Sequence, residues 1–174
     1  MFDLNGEYLH KVDAKGRLSM PAKFRKNIEQ SIVAEAVQKS QEGQAPVGQG
    51  ELSKLELVVV KNIPEGCLYV FTEDGFNTWV DSFFPVDAEG QGGFSVKDPN
   101  HVALRRELKA CAMETEVDGS GRIKLSPAHK EFAKIDAQAV LIGNTNYFEI
   151  WQPELREEAK AKVDLASLMY PGTE

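Results

Sequence analysis

Val12 to Leu18 reads VDAKGRL, and Val117 to Ile123 reads VDGSGRI. Asp, Gly and Arg hold the same places in both, so Asp13, Gly16 and Arg17 answer to Asp118, Gly121 and Arg122. In each motif three residues separate the Asp from the Arg, and the last of them is glycine. A three-residue hairpin connection needs a left-handed residue at its final position, which glycine takes without steric cost. Each motif therefore predicts a tight hairpin that sets an arginine beside an aspartate, whose carboxylate can also accept from turn amides.

The repeat extends downstream. A strand-like pair follows each motif, Ser19 with Met20 and Lys124 with Leu125, and then a proline, Pro21 or Pro127, that suits a helix start. From Pro21 the apolar positions Phe24, Ile28, Ile32, Ala36 and Val37 keep helical spacing to about Gln38, whereas PAHKEFAKI gives two turns. LELVVV at 55–60 matches AVLIG at 139–143, and CLYVFT at 67–72 matches YFEIWQ at 147–152; these β-branched and aromatic runs read as buried strands. One unit thus occurs twice. The Gly, Gln and Ser rich stretch 40–54 is a loop insertion in the first copy.

The remaining elements are helical. Thr72 caps EDGFNTWVDSFF, with Phe76, Trp79, Val80 and Phe83 on one face. Asp98 and Pro99 start NHVALRRELKACAM. Pro153 opens ELREEAKAKVDLASLM as one amphipathic helix with Leu155, Ala159, Val163 and Leu168 on its apolar side. The organisation read from this is a first unit over 6–84, a linker and connecting helix over 85–111 with a flexible GQGG at 90–93, a second unit over 112–155, and a terminal helix and tail over 156–174. The fold class is α+β, mostly β with flanking helices.

At 174 residues, 42% hydrophobic and 27% charged, the chain is an ordinary folded one with room for a core. No apolar run approaches a membrane span and the start lacks a secretory signal, so a cytoplasmic protein is expected. The net charge of −7 argues against coating nucleic acid through overall charge. Between His10 and Arg25, however, Lys11, Lys15, Arg17, Lys23 and Arg25 are opposed only by Asp13. A short positive segment on an acidic body suits an anionic partner met at one place.

Enzymatic motifs are missing: there is no nucleophile elbow, phosphate loop or paired catalytic group. Cys67 and Cys111 lack metal or redox spacing and read as core-facing thiols. His10, His101 and His129 form no ligand pattern and read as exposed or helix-surface residues. Trp79 and Trp151 read as core or interface. No cofactor and no metal are expected.

YLHKVDAKGRLSMPAKFR, EVDGSGRIKLSP and VLIGNTNYFEIW resemble the two signatures of the MraZ family, over nearly the whole chain. The resemblance implies a bacterial transcriptional regulator of the division and cell wall cluster, usually a repressor and associated with the nucleoid. It implies tandem AbrB-type swapped-hairpin units, each with a DxxxR motif, closing one pseudo-two-fold barrel. It also implies homo-oligomeric rings of about eight or more subunits, and ties the first motif to DNA contact. Two features depart from the family pattern: extra residues in MFDLNGEY, with Asp3 where a basic residue is common, and the long 40–54 loop.

A two-stranded ribbon can enter the major groove of double-stranded DNA, where an arginine fork donates twice to guanine O6 and N7. Arg17 takes that base-reading role, Lys15 at the turn is a second reader or phosphate partner, and Lys11, Lys23 and Arg25 grip phosphates. Arg122 is the corresponding residue of the second copy, which lacks the turn lysine. Alternatively each Asp–Arg pair is only a surface ion pair. A ring joined head to tail repeats its hairpins by rotation, so several engaging one duplex favour direct repeats over a palindrome. The competing function is an antitoxin-like barrel that binds protein rather than DNA.

Overall fold

A computed structural model describes residues 3–41 and 54–172. The strands are β1 (Glu7–Lys11), β2 (Arg17–Ser19), β3 (Glu56–Asn62), β4 (Cys67–Phe71), β5 (Ala112–Glu116), β6 (Arg122–Lys124), β7 (Gln138–Asn144) and β8 (Tyr147–Trp151). The helices are α1 (Ala22–Gln41), α2 (Glu73–Asp81), α3 (Pro99–Ala110), α4 (Pro127–Phe132), α5 (Pro153–Ala161) and α6 (Leu165–Met169).

Both glycine turns form, but the arms of each turn find their partners in the other copy. Gly16 and Gly121 have φ of 77° and 76°, the left-handed value that their place requires. Beyond the turn itself, the first motif has only an isolated bridge between Val12 and Leu18. β2 pairs with β6, β1 with β7 and β5 with β3, all antiparallel. The physical reason lies in the brevity of β2 and β6. A three-residue arm with one apolar side chain cannot bury itself, whereas pairing the two arms puts Leu18 opposite Ile123 and leaves both almost fully buried.

Hydrogen bonding orders six strands as β1-β7-β8-β4-β3-β5 and sets β2-β6 apart as a second sheet. This order reads the same when the copies are exchanged. The exchange maps Leu18 onto Ile123, which face each other, and Tyr69 onto Glu149, which also face each other, so a pseudo-two-fold axis runs through both pairs. No ladder closes the two sheets into a barrel among the described residues. Side-chain bonds span the gap on each side: His10 Nδ1 donates to the Ser19 carbonyl at 2.6 Å, and Thr115 Oγ1 donates to the Lys124 carbonyl at 3.0 Å and accepts from the Lys124 amide at 3.2 Å.

The main core gathers residues of both copies, including Leu18, Phe24, Ile28, Leu57, Ile123, Leu141 and Phe148. Each such side chain contributes about 1.5–3 kcal/mol by leaving water. A second cluster around Phe71, Phe76 and Val80 packs α2 on the sheet. Thr72 caps α2 as expected, its side chain accepting from the Gly75 amide. Phe76 and Val80 are buried, but Phe83 lies past the helix end and is exposed.

Several sequence expectations need correction. α1 runs to Gln41 rather than Gln38, and Val37, expected on its apolar face, is exposed. α3 stops at Ala110, because Ala112 onward enters β5. The terminal helix is broken: Asp164 caps α6 by accepting from the Ser167 amide, and Val163 and Leu168 are exposed. GQGG is a built turn in which Asp87 Oδ1 accepts from the Gln91 amide at 2.6 Å. The 40–54 insertion lies, except for its first two residues and its last, outside the described residues.

His129 differs most from its expectation. It is 4% exposed, because the copies superpose with a constant offset through Gly16/Gly121 and Met20/Leu125, and the same offset carries Phe24 onto His129. The prolines, one position out of step, mask this in the sequence. The second unit thus fills a phenylalanine position with an imidazole. Its ring is satisfied by Ser126 Oγ at 2.6 Å and the Cys111 carbonyl at 3.2 Å.

Candidate nucleic-acid interface

The two DxxxR motifs share one geometry down to the atom. Asp13 Oδ1 accepts from the amides of Lys15 and Arg17, both at 2.9 Å, and Oδ2 from Arg17 Nε at 2.7 Å. Asp118 repeats this with Ser120, Arg122 and Arg122 Nε at 2.9, 3.0 and 2.8 Å. The arginine amide, the side-chain bond to the same arginine and the amide two residues after the Asp outweigh desolvation. They hold both carboxyls below their ordinary value. Each aspartate therefore builds its turn and aims its arginine.

Because the carboxylate engages Nε, both Nη groups of Arg17 and of Arg122 are without a protein partner among the described residues. The surface ion pair does exist, and it leaves the outer end of each guanidinium available. Alternation along β2 and β6 turns Leu18 and Ile123 inward while Arg17, Ser19, Arg122 and Lys124 keep solvent access. Antiparallel pairing puts Arg17 opposite Lys124 and Ser19 opposite Arg122. The ribbon therefore has one turn at each end.

The swap regroups the expected site residues. Lys15 and Arg17 lie together at the first turn, with Lys11 exposed at the end of β1. Arg25 goes elsewhere: its guanidinium lies over the second turn, where a Cβ on Gly121 would meet Nη1 at 3.1 Å, and its Nε is paired with Glu29 at 2.8 Å. Lys23 donates to Asn5 Oδ1 at 2.9 Å. The first turn instead receives Lys130 of α4, whose Cδ would lie 3.3 Å from a Cβ on Gly16.

A groove of about 510 Å³ runs beside this turn, and Lys15, Lys124, Lys130 and Lys134 line it with Glu131. Sequence reasoning missed Lys124, Lys130 and Lys134, since they lie outside the basic segment. The repeat offset combined with arm exchange is the signal that would have found Lys124.

Elsewhere the chemistry is structural. Cys67 is buried, and desolvation pushes its thiol up to about 12. Among the described residues no group of three or more His, Cys, Asp or Glu side chains could hold a metal ion, and no helix is long and apolar enough to cross a membrane.

A pseudo-symmetric α+β fold whose paired motif arms carry outward arginines defines the class: a duplicated swapped-arm protein with a basic ribbon. The family profile described as "MraZ protein, putative antitoxin-like" matches residues 4–43 and 109–171, more than half of the chain. Curated relatives named Transcriptional regulator MraZ include that of Thermomicrobium roseum, 32% identical over 86% of this chain and 81% of its own. Those of Pseudomonas putida strain F1 and Pseudomonas entomophila are each 29% identical over 92% of this chain and 87% of theirs. The chain belongs to the MraZ family.

Proposed function

We propose that this chain is a sequence-specific DNA-binding transcription regulator and not an enzyme, and that the β2–β6 ribbon is its reading head. One observation carries the reading: Asp13 holds the Arg17 side chain through Nε, which leaves its Nη fork available to an external acceptor, beside lysines that have no bonded partner among the described residues. An arginine held this way has lost rotamer freedom before it meets guanine, so little more is lost on binding. The two arginine levels of the ribbon are about 7 Å apart along the strands, close to two base-pair steps.

In this reading Arg17 reads base edges, Lys15 supports it, and Lys11 meets phosphate. Arg122, Arg25 and Lys23 take a smaller share, since Arg25 and Lys23 already have protein partners. The chain works in the cytoplasm on the nucleoid as a repressor of the division and cell wall gene cluster; the relatives' name supports the regulatory part of that role. The bonds from His10 and Thr115 across the sheet gap support closure of the two units, 6–84 and 112–155, into one swapped-hairpin barrel. Homo-oligomeric rings of about eight or more subunits supply avidity and favour direct repeats.

Selection of bound sequences from random duplex DNA, with the mass of the free protein measured alongside, tests the reading. Direct repeats and a multi-subunit mass are expected. Arg17→Ala should cost about 1–3 kcal/mol on the selected site and relax one base position. Wild-type affinity in that variant, or a simple inverted repeat, would overturn the mechanism. The family description also names an antitoxin-like character; a protein partner bound by wild type and Arg17→Ala alike, with no duplex binding, would favour that second reading.

A further inference from the structure

The pseudo-two-fold pairs each position of one turn region with one of the other, and the fold treats them alike while the charges do not match. Lys15 at the first turn answers to Ser120 at the second. Lys124, opposite Arg17, answers to Ser19, opposite Arg122. Lys130, against Gly16, answers to Arg25, against Gly121. One helical turn further on, Arg25 meets Glu29, which takes its Nε at 2.8 Å, while the chain four residues after Lys130 carries Lys134.

The first-turn end thus collects Lys15, Lys124, Lys130 and Lys134, whose ammonium groups have no bonded partner among the described residues, and they line one groove of about 510 Å³ with Glu131 as its single carboxylate. The second-turn end offers two serines, an arginine already bonded to its own glutamate, and the exposed Lys26 in the place that Glu131 takes at the first. A backbone close to two-fold thus carries more positive charge at its first-turn end.

We propose that the phosphate backbone of a DNA duplex seats in the groove between the first turn and α4, gripped by Lys124, Lys130 and Lys134 of the second copy together with Lys15. This rests on the reading of the ribbon as a DNA-binding head. It assigns most of the phosphate grip to the copy whose own turn has no lysine, and it gives each subunit one orientation on the duplex. A clamp of isolated ammonium groups fits phosphate oxygens, which are met as point charges rather than by a planar fork. The apolar wall from Leu125, Pro127 and Ile135 lowers the competition from water.

The test is binding of the full chain to a mixed-sequence duplex, followed by anisotropy across a salt series. Each phosphate contact removed should flatten the log-log salt slope by about 0.9. K124Q and K130Q should each weaken binding several-fold for every duplex sequence, with the double variant flattened by about twice as much. Lys124→Arg and Lys130→Arg should keep the wild-type slope, which separates lost charge from lost fold. Arg25→Gln should change it less, and Lys97→Gln, on the 85–97 segment, not at all. A wild-type slope in K124Q/K130Q, or an equal loss in Arg25→Gln, would overturn the one-ended groove while leaving the ribbon reading intact. A wild-type chain without duplex binding would overturn both.

Discussion

His129 occupies in the second unit the core position that Phe24 occupies in the first, and both are almost fully buried. The imidazole is tolerated because Ser126 and the Cys111 carbonyl satisfy it, and desolvation pushes its pKa below the ordinary 6.5. A base with a depressed folded pKa stabilises the fold above its unfolded pKa and loses that contribution as pH falls toward the folded value. Urea unfolding should therefore show stability falling on acidification through about pH 6.5. His129→Gln should reduce this fall; an unchanged pH dependence in the variant would overturn the assignment.

The two turn glycines should differ in cost. Both have left-handed φ, so alanine at either meets about 1–2 kcal/mol of backbone strain. At Gly16 a Cβ would also lie 2.8 Å from the Leu125 carbonyl, which is fixed backbone, whereas at Gly121 it meets the movable end of Arg25. Gly16→Ala should therefore lower the melting temperature more than Gly121→Ala. Equal shifts would contradict the contact.

Leu18 and Ile123 lie on the pseudo-axis and face each other. Either one changed to alanine should cost about 2–5 kcal/mol. Because the two share one cavity, the double variant should depart from additivity by about 0.5–3 kcal/mol in a denaturant cycle. Strict additivity would mean the ribbon arms are not packed on one another.

Acid should loosen both motif turns. Asp13 and Asp118 have carboxyls held below 3.8, led by the amides of Arg17 and Arg122. A depressed carboxylate stabilises the fold above its unfolded pKa and loses that contribution as pH falls through the folded value. Melting temperature should drop below about pH 4, and Asp13→Asn with Asp118→Asn should flatten that drop. A double variant that keeps the full acid dependence would assign it to other groups.

The sequence by itself determined the duplication, both glycine turns, the Asp–Arg pairing within each turn and the helix starts at Thr72, Asp98 and Pro153. These depend on residues a few positions apart, where backbone sterics and capping decide the outcome. Only the tertiary structure decided which arm each strand joins. A three-residue strand gains too little locally, so its partner is chosen by where Leu18 and Ile123 can be buried together. That choice sent Arg25 to the second turn, brought Lys124 and Lys130 to the first, and buried His129. Contacts between residues a hundred positions apart answer to the shape of the shared core, which no local spacing encodes.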